Sequence, residues 1–141
     1  SLIEADVFLG VCETICIPVQ ARLQLDPASD PDNPQDAALV RAAVDALPAP
    51  AQPNFGVSPA PSEAGKLAVV ANVPGDPEGV DVFFAGTDGY MFGVPERKVE
   101  GGKLTFTVKV LDAPEVKPTG KGIPYTMTTA TTAVEGYLPY P

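Results

Sequence analysis

The sequence predicts a mainly β fold, in which a hairpin and one helix precede a β-sandwich. Three observations predict it. Residues 3–25 alternate apolar and polar side chains with period two on both sides of a short break. Residues 34–47 change to a 3.6-residue apolar spacing. From residue 63 onward, short runs rich in Val, Thr and aromatic residues are separated by turn signals. The 17 prolines and 13 glycines leave little room for long helices, in keeping with a β class.

In the first strand Ile3, Ala5, Val7, Leu9 and Val11 alternate with Glu4, Asp6, Phe8, Gly10 and Cys12. In the second, Ile17, Val19, Ala21, Leu23 and Leu25 alternate with Cys16, Pro18, Gln20, Arg22 and Gln24. Successive strand side chains point to opposite faces, so each strand has one apolar face. Both cysteines, the only two in the chain, fall in the other register and point away from the apolar side. Four extended steps would hold their Cα atoms roughly 13 Å apart, beyond the ~7 Å reach of a disulfide. A three-residue hairpin turn at Glu13-Thr14-Ile15 brings them opposite each other and makes a bridge feasible.

The acidic, turn-rich stretch at residues 26–36 leads into the helix. Asn33 suits the N-cap, Pro34 the first helical position and Asp36 the positive helix terminus. Leu39, Val40, Ala43, Val44 and Leu47 form the apolar stripe, and Pro48 stops the run, giving a helix over 34–47. Asp30, Asp32 and Asp36 do not make a calcium loop, because the glycine at the loop's sixth position and the terminal Glu are missing.

Residues 48–62 read as a proline-rich linker, with Phe55 and Val57 as a short strand within it. The strands expected after it are 66–73, 80–86, 90–94, 97–100, 103–111, 125–132 and 133–140. Gly101-Gly102 suits a two-residue hairpin turn, and Leu104, Phe106, Val108 and Val110 alternate with Lys103, Thr105, Thr107 and Lys109. Strands at this spacing predict an immunoglobulin-like sandwich over 63–141, without an inter-sheet disulfide. Residues 1–47 form a separate part. A hairpin and one helix cannot bury so many apolar side chains alone, so this part calls for further strands, the sandwich or a second chain to cover it.

Composition excludes several functions. A net charge of −9 without a basic cluster disfavours nucleic acid and anionic membranes. With no histidine, Ser-His and Cys-His nucleophilic machinery and histidine-containing metal sites are ruled out within this chain. No apolar run is long enough to span a bilayer as a helix. Two cysteines in a β- and proline-rich chain fit an oxidising compartment. The chain holds no signal peptide and opens inside a strand pattern, which is the expectation for a fragment of a longer exported protein.

The segment Val11-Cys12-Glu13-Thr14-Ile15-Cys16-Ile17-Pro18, followed by a strand ending Ala21-Arg22-Leu23-Gln24-Leu25, resembles the periplasmic thiol:disulfide interchange proteins. The likeness is to the N-terminal domain of DsbD and to the related ScsB (suppressor of copper sensitivity) proteins, whose pattern is V-C-x-x-[IV]-C-[IV]-P. An Ala-rich helix and a second sandwich follow in that family, matched here by Ala37 to Leu47, by Val82-Phe83-Phe84 with Asp88-Gly89, and by the Gly101-Gly102 hairpin. The DsbD pair has a longer intervening loop, so the ScsB-like branch is the better match.

The resemblance implies an exported domain that passes reducing equivalents by thiol–disulfide exchange through Cys12 and Cys16, without a cofactor. Residues 1–47 would then be the C-terminal part of an N-terminal DsbD-like domain. Its implied partners are a membrane-embedded reductase domain, of the same or a partner chain, and periplasmic thioredoxin-like thiol proteins.

Exchange needs an accessible sulfur and a thiolate attacker. The neighbouring acids Glu4, Asp6 and Glu13 would raise a cysteine pKa, and Arg22 lies about 20 Å along the strand. The pair therefore reads as a relay opened by a more reactive partner thiol. Phe8 shares the cysteine register and is a candidate shield for the sulfurs, with Glu13 and Pro18 as neighbours. Two alternatives stand beside exchange. One is a purely structural disulfide in a binding module; the other is a Cu(I)-binding copper-tolerance module using the same two sulfurs.

Overall fold

The computed structural model describes residues 2–141. They form two compact units, the first ending at Ala46 and the second spanning Leu47–Pro141.

The first unit holds the hairpin and the helix. Strands β1 (Ile3–Cys12) and β2 (Cys16–Leu25) pair antiparallel from Ile3↔Leu25 through to Cys12↔Cys16. Helix α1 spans Pro34–Asp45. The Asn33 side chain accepts hydrogen bonds from the backbone N–H groups of Gln35 (2.9 Å) and Asp36 (3.0 Å), which satisfies donors that the helix itself cannot. The helix stops two residues before the expected Leu47, since the residue preceding a proline is driven out of the helical region. The acidic stretch before it closes turns: Asp26 accepts from the Ala28 N–H, and Asp30 accepts from the Asn33 side chain.

The second unit is a two-sheet sandwich. One sheet has the order β3 (Ala49–Pro50), β11 (Ala133–Leu138), β10 (Ile123–Thr128), β6 (Asp81–Phe84). The other runs β4 (Gly56–Ala60), β5 (Lys66–Asn72), β9 (Lys103–Asp112), β7 (Met91–Phe92), with β8 (Glu96–Glu100) also paired to β9. The inner faces supply the core. Val69, Phe106 and Val108 from one sheet, and Ile123, Met127 and Leu138 from the other, are at most 2% exposed. The alternation read in β9 is the cause: Leu104, Phe106 and Val108 turn inward while Lys103, Thr105 and Thr107 stay on the other face.

Of the stretch 48–62, expected as a linker with a short strand at Phe55 and Val57, Gly56–Ala60 forms β4 around Val57, and Ala49–Pro50 adds β3, which the linker reading did not include. β3 pairs parallel with β11, and β4 pairs antiparallel with β5. Both lie at a sheet edge, where a proline costs no ladder hydrogen bond, so Pro50 and Pro59 are tolerated in strands. The strand expected at 125–132 starts earlier, at Ile123, and ends at Thr128. Thr129 closes a turn by donating its N–H to the Thr132 carbonyl, and its hydroxyl takes the N–H of Thr132. At the Gly101-Gly102 turn both residues have positive φ (60° and 77°), the conformation a tight hairpin turn of this kind requires.

Two tyrosines lock this unit. The Tyr125 hydroxyl accepts the Val57 N–H at 3.3 Å and lies between Gly56 and Gly136. Tyr140 donates its hydroxyl to Asp88 at 2.6 Å and stacks on Tyr90, which stacks in turn on Phe92. Asp88 itself has φ 51° in an Asp-Gly turn between Thr87 and Tyr90, so one residue both makes the turn and anchors the C-terminal segment.

Two outcomes follow from these contacts. A Cβ at position 136 would stand 2.8 Å from the Tyr125 hydroxyl oxygen and 3.0 Å from two ring carbons. Gly136→Ala should therefore destabilise the second unit by about 1–3 kcal/mol in urea unfolding, the usual cost of overpacking. The hydrogen bond to Asp88, with burial adding, holds the Tyr140 hydroxyl pKa above the ordinary tyrosine value. A raised folded-state pKa gives stability that is complete below the unfolded tyrosine pKa and is lost as pH rises through the folded one. The wild-type melting temperature should thus fall more steeply above about pH 10 than that of Tyr140→Phe. Parallel curves would show that the bond carries no such linkage.

Candidate redox site

The site is the tip of the hairpin. Two ten-residue strands meet at Glu13-Thr14-Ile15, where the Glu13 N–H lies 3.3 Å from the Ile15 carbonyl oxygen. This turn makes Cys12 and Cys16 the last cross-strand pair, with Cα atoms 4.0 Å apart and the sulfurs joined in a disulfide. Both cysteines are exposed, as are Glu13 and Pro18 beside them.

The register orders the cysteine face into rows. Beyond the disulfide come Gly10 opposite Pro18, Phe8 opposite Gln20, Asp6 opposite Arg22, and Glu4 opposite Gln24. Arg22 does not serve the cysteines. Its guanidinium forks onto Asp6, with Nε–Oδ1 at 2.8 Å and a second contact at 3.3 Å, and this bond raises the Arg22 pKa. Gln24 donates to Glu4 in the same way. Two of the three acids expected to act on the thiols are thus engaged further down the strand, leaving Glu13 as the carboxylate next in sequence to Cys12.

Phe8 is 67% exposed and sits four residues from Cys12 on the same face, roughly 13 Å along the strand. The residue beside the sulfur is Gly10. A Cβ there would lie 3.7 Å from the Cys12 sulfur, so the missing side chain leaves one flank of the disulfide open. A glycine interrupting a strand is the sequence signal that could have pointed to this close approach.

No family model and no curated protein matches the chain. Among solved structures it is similar to the N-terminal periplasmic domain of ScsB from Proteus mirabilis, at a TM-score of 0.69 and 20% identity. The match covers 95% of this chain and 55% of that one. The fold is ScsB-like. The chain spans about half the length of the ScsB domain it matches.

In this ScsB-like arrangement the apolar face of the hairpin is uncovered. Ile3, Leu9, Val11, Ile17, Val19, Leu23 and Leu25 are 44–60% exposed, and only Val7 is partly buried. Helix α1 buries none of its side chains, and Leu39, Val40, Val44 and Leu47 stay exposed. The alternation marks a face made to be buried, and two strands with one helix cannot enclose it. Among the described residues no group of three or more His, Cys, Asp or Glu is gathered where it could hold a metal ion.

Proposed function

We propose that this chain is a periplasmic thiol–disulfide exchange relay working through Cys12 and Cys16. The observation that carries the reading is an exposed disulfide closing a three-residue turn at the tip of a hairpin, in a chain with the fold of the ScsB periplasmic domain. A partner thiolate attacks one sulfur, the S–S bond breaks, and the other cysteine leaves as a thiolate that takes up a proton. A second partner thiol resolves the mixed disulfide, so the partner is oxidised and the Cys12/Cys16 pair is reduced by two electrons. The reduced pair then passes those electrons to the disulfide of a thioredoxin-like periplasmic protein by the same steps in reverse. The reductant is a membrane-embedded dithiol domain.

The hairpin supports this role in two ways. Nine further cross-strand pairs, from Ile3↔Leu25 to Val11↔Ile17, set the register of the strands beside the Cys12↔Cys16 pair, so the bridge is not the sole link between them. Glu13 sets a negative charge beside the pair, which favours a relay opened by the partner's thiolate over an autonomous nucleophile. Residues 1–47 are assigned to the C-terminal part of a DsbD-like domain, in which further strands lie against the apolar face.

A redox titration read by mass spectrometry of alkylated thiols tests the exchange. The expected midpoint lies above about −300 mV, and a lower value would mark an inert structural bridge and end the relay reading. Hydrogen exchange tests the assignment of residues 1–47. Amides of β1 and β2 should be much less protected in this 141-residue chain than in a longer form of the protein, and equal protection would overturn it.

A further inference from the structure

The second unit carries a cavity of about 720 Å³ that contains neither cysteine and is lined only by residues of Leu47–Pro141. Such a volume lies within the range of ligand sites. The strand register explains how it is made. Phe83, Thr126 and Glu135 form one row across β6, β10 and β11, and Pro124 and Tyr137 form the next. Their neighbours Val82, Tyr125, Met127 and Val134 are buried, so these rows belong to the outward face of the sheet. At about 4.8 Å per strand, the first row places Glu135 roughly 10 Å from Phe83.

Three features of this face define an occupant. Phe83 and Tyr137 are 57% and 54% exposed, two large aromatic surfaces open to solvent over much of their area. Glu135 is the one charged side chain in the lining, and among the described residues no hydrogen bond or ion pair engages its carboxylate. The Tyr137 ring already receives a cation, since the Lys121 ammonium sits 5.5 Å from its centroid. Aromatic faces next to an unpaired carboxylate attract an ammonium or guanidinium group. Pro50 and Pro124 in the walls add rigid apolar surface without N–H donors of their own.

We propose that this groove docks an extended basic segment of a partner protein. A lysine or arginine side chain lies between Tyr137 and Glu135, displacing Lys121, and an adjoining proline or short apolar residue packs on Phe83. Grooves lined by aromatic rings receive extended, proline-containing chains in this way. A glycan fits less well, because Gln52, Thr126 and Glu135 are the only polar side chains in the lining apart from the tyrosines. Docking here is independent of the exchange reaction and can succeed or fail without it.

Fluorescence anisotropy of the 141-residue protein with labelled (Pro-Lys)5 tests the proposal. Binding is expected to weaken about fivefold in Glu135→Gln, the loss of one charge-assisted contact. It should weaken about tenfold in Tyr137→Ala yet stay within about twofold in Tyr137→Phe, which keeps the ring. Glu100→Gln, in the other sheet and outside the groove, should bind as wild type, and (Pro-Glu)5 should not bind. Equal weakening in Glu100→Gln and Glu135→Gln would reduce the effect to the general attraction of a −9 protein and overturn the proposal. Binding of chitohexaose without binding of (Pro-Lys)5 would overturn it in favour of a glycan. If Tyr137→Ala fails to fold, Glu135→Gln and Tyr137→Phe still decide.

Discussion

The three-residue turn at Glu13–Ile15 is the constraint on which the candidate site depends. Strand side chains have period two, so shifting the pairing by one residue would move every side chain of a strand to the opposite face. With the turn in place, Cys12 faces Cys16, Gly10 faces Pro18, and Asp6 faces Arg22. The same register sends ten mostly branched apolar side chains to the other side. One turn therefore produces a charged and sulfur-bearing face and an apolar face at once, and neither can be altered without the other.

The two units answer the demand for a core differently. In Leu47–Pro141 the two inner sheet faces meet over Phe106, Ile123 and Met127, and the burial of such side chains contributes about 1.5–3 kcal/mol each. In the first unit the corresponding apolar surface is present in the sequence pattern but uncovered. The cysteines thus sit on the unit with the fewest buried contacts, the kind of region from which mobile functional elements are drawn. The apolar face calls for cover, while the cysteine face must stay clear for a partner thiol under the proposed exchange. The hairpin can meet both needs because the two faces never share a side chain.

Much of this was legible in the residues, for local reasons. The hairpin, its turn and the outward cysteines follow from alternation over residues 3–25. The helix start follows from Asn33-Pro34, and the Gly101-Gly102 turn from the need for positive φ at both positions. What escaped depends on distant neighbours. Pro50 and Pro59 look like linker residues until the sheet order places β3, and the extension of the Val57 strand to Ala60, at edges. The stretch 128–132 is threonine apart from Ala130 and reads as strand, and the Thr129–Thr132 hydrogen bonds divide it. At the site, the turn and disulfide were readable; Asp6 being held by Arg22 was not, and Gly10 beside the Cys12 sulfur was signalled only by a glycine interrupting the strand. The Phe83–Thr126–Glu135 row likewise joins three strands far apart in the chain, so no local pattern announces it.

A short loop also bears on how the disulfide can behave. A bridge stabilises a fold largely by restricting the unfolded chain, and that restriction grows with the length of loop it closes. Cys12 and Cys16 are four residues apart and already paired by the ladder, so the bridge adds little order that the hairpin lacks. Opening it therefore costs the fold less than opening a long-range bridge would. Where the folded state prefers neither the oxidised nor the reduced form strongly, the potential is left to the sulfurs and their surroundings, which a docked partner can change. An exposed, locally closed disulfide is in this sense better suited to exchange than to holding the chain together, and its position at the tip of two long, independently paired strands is what makes that possible.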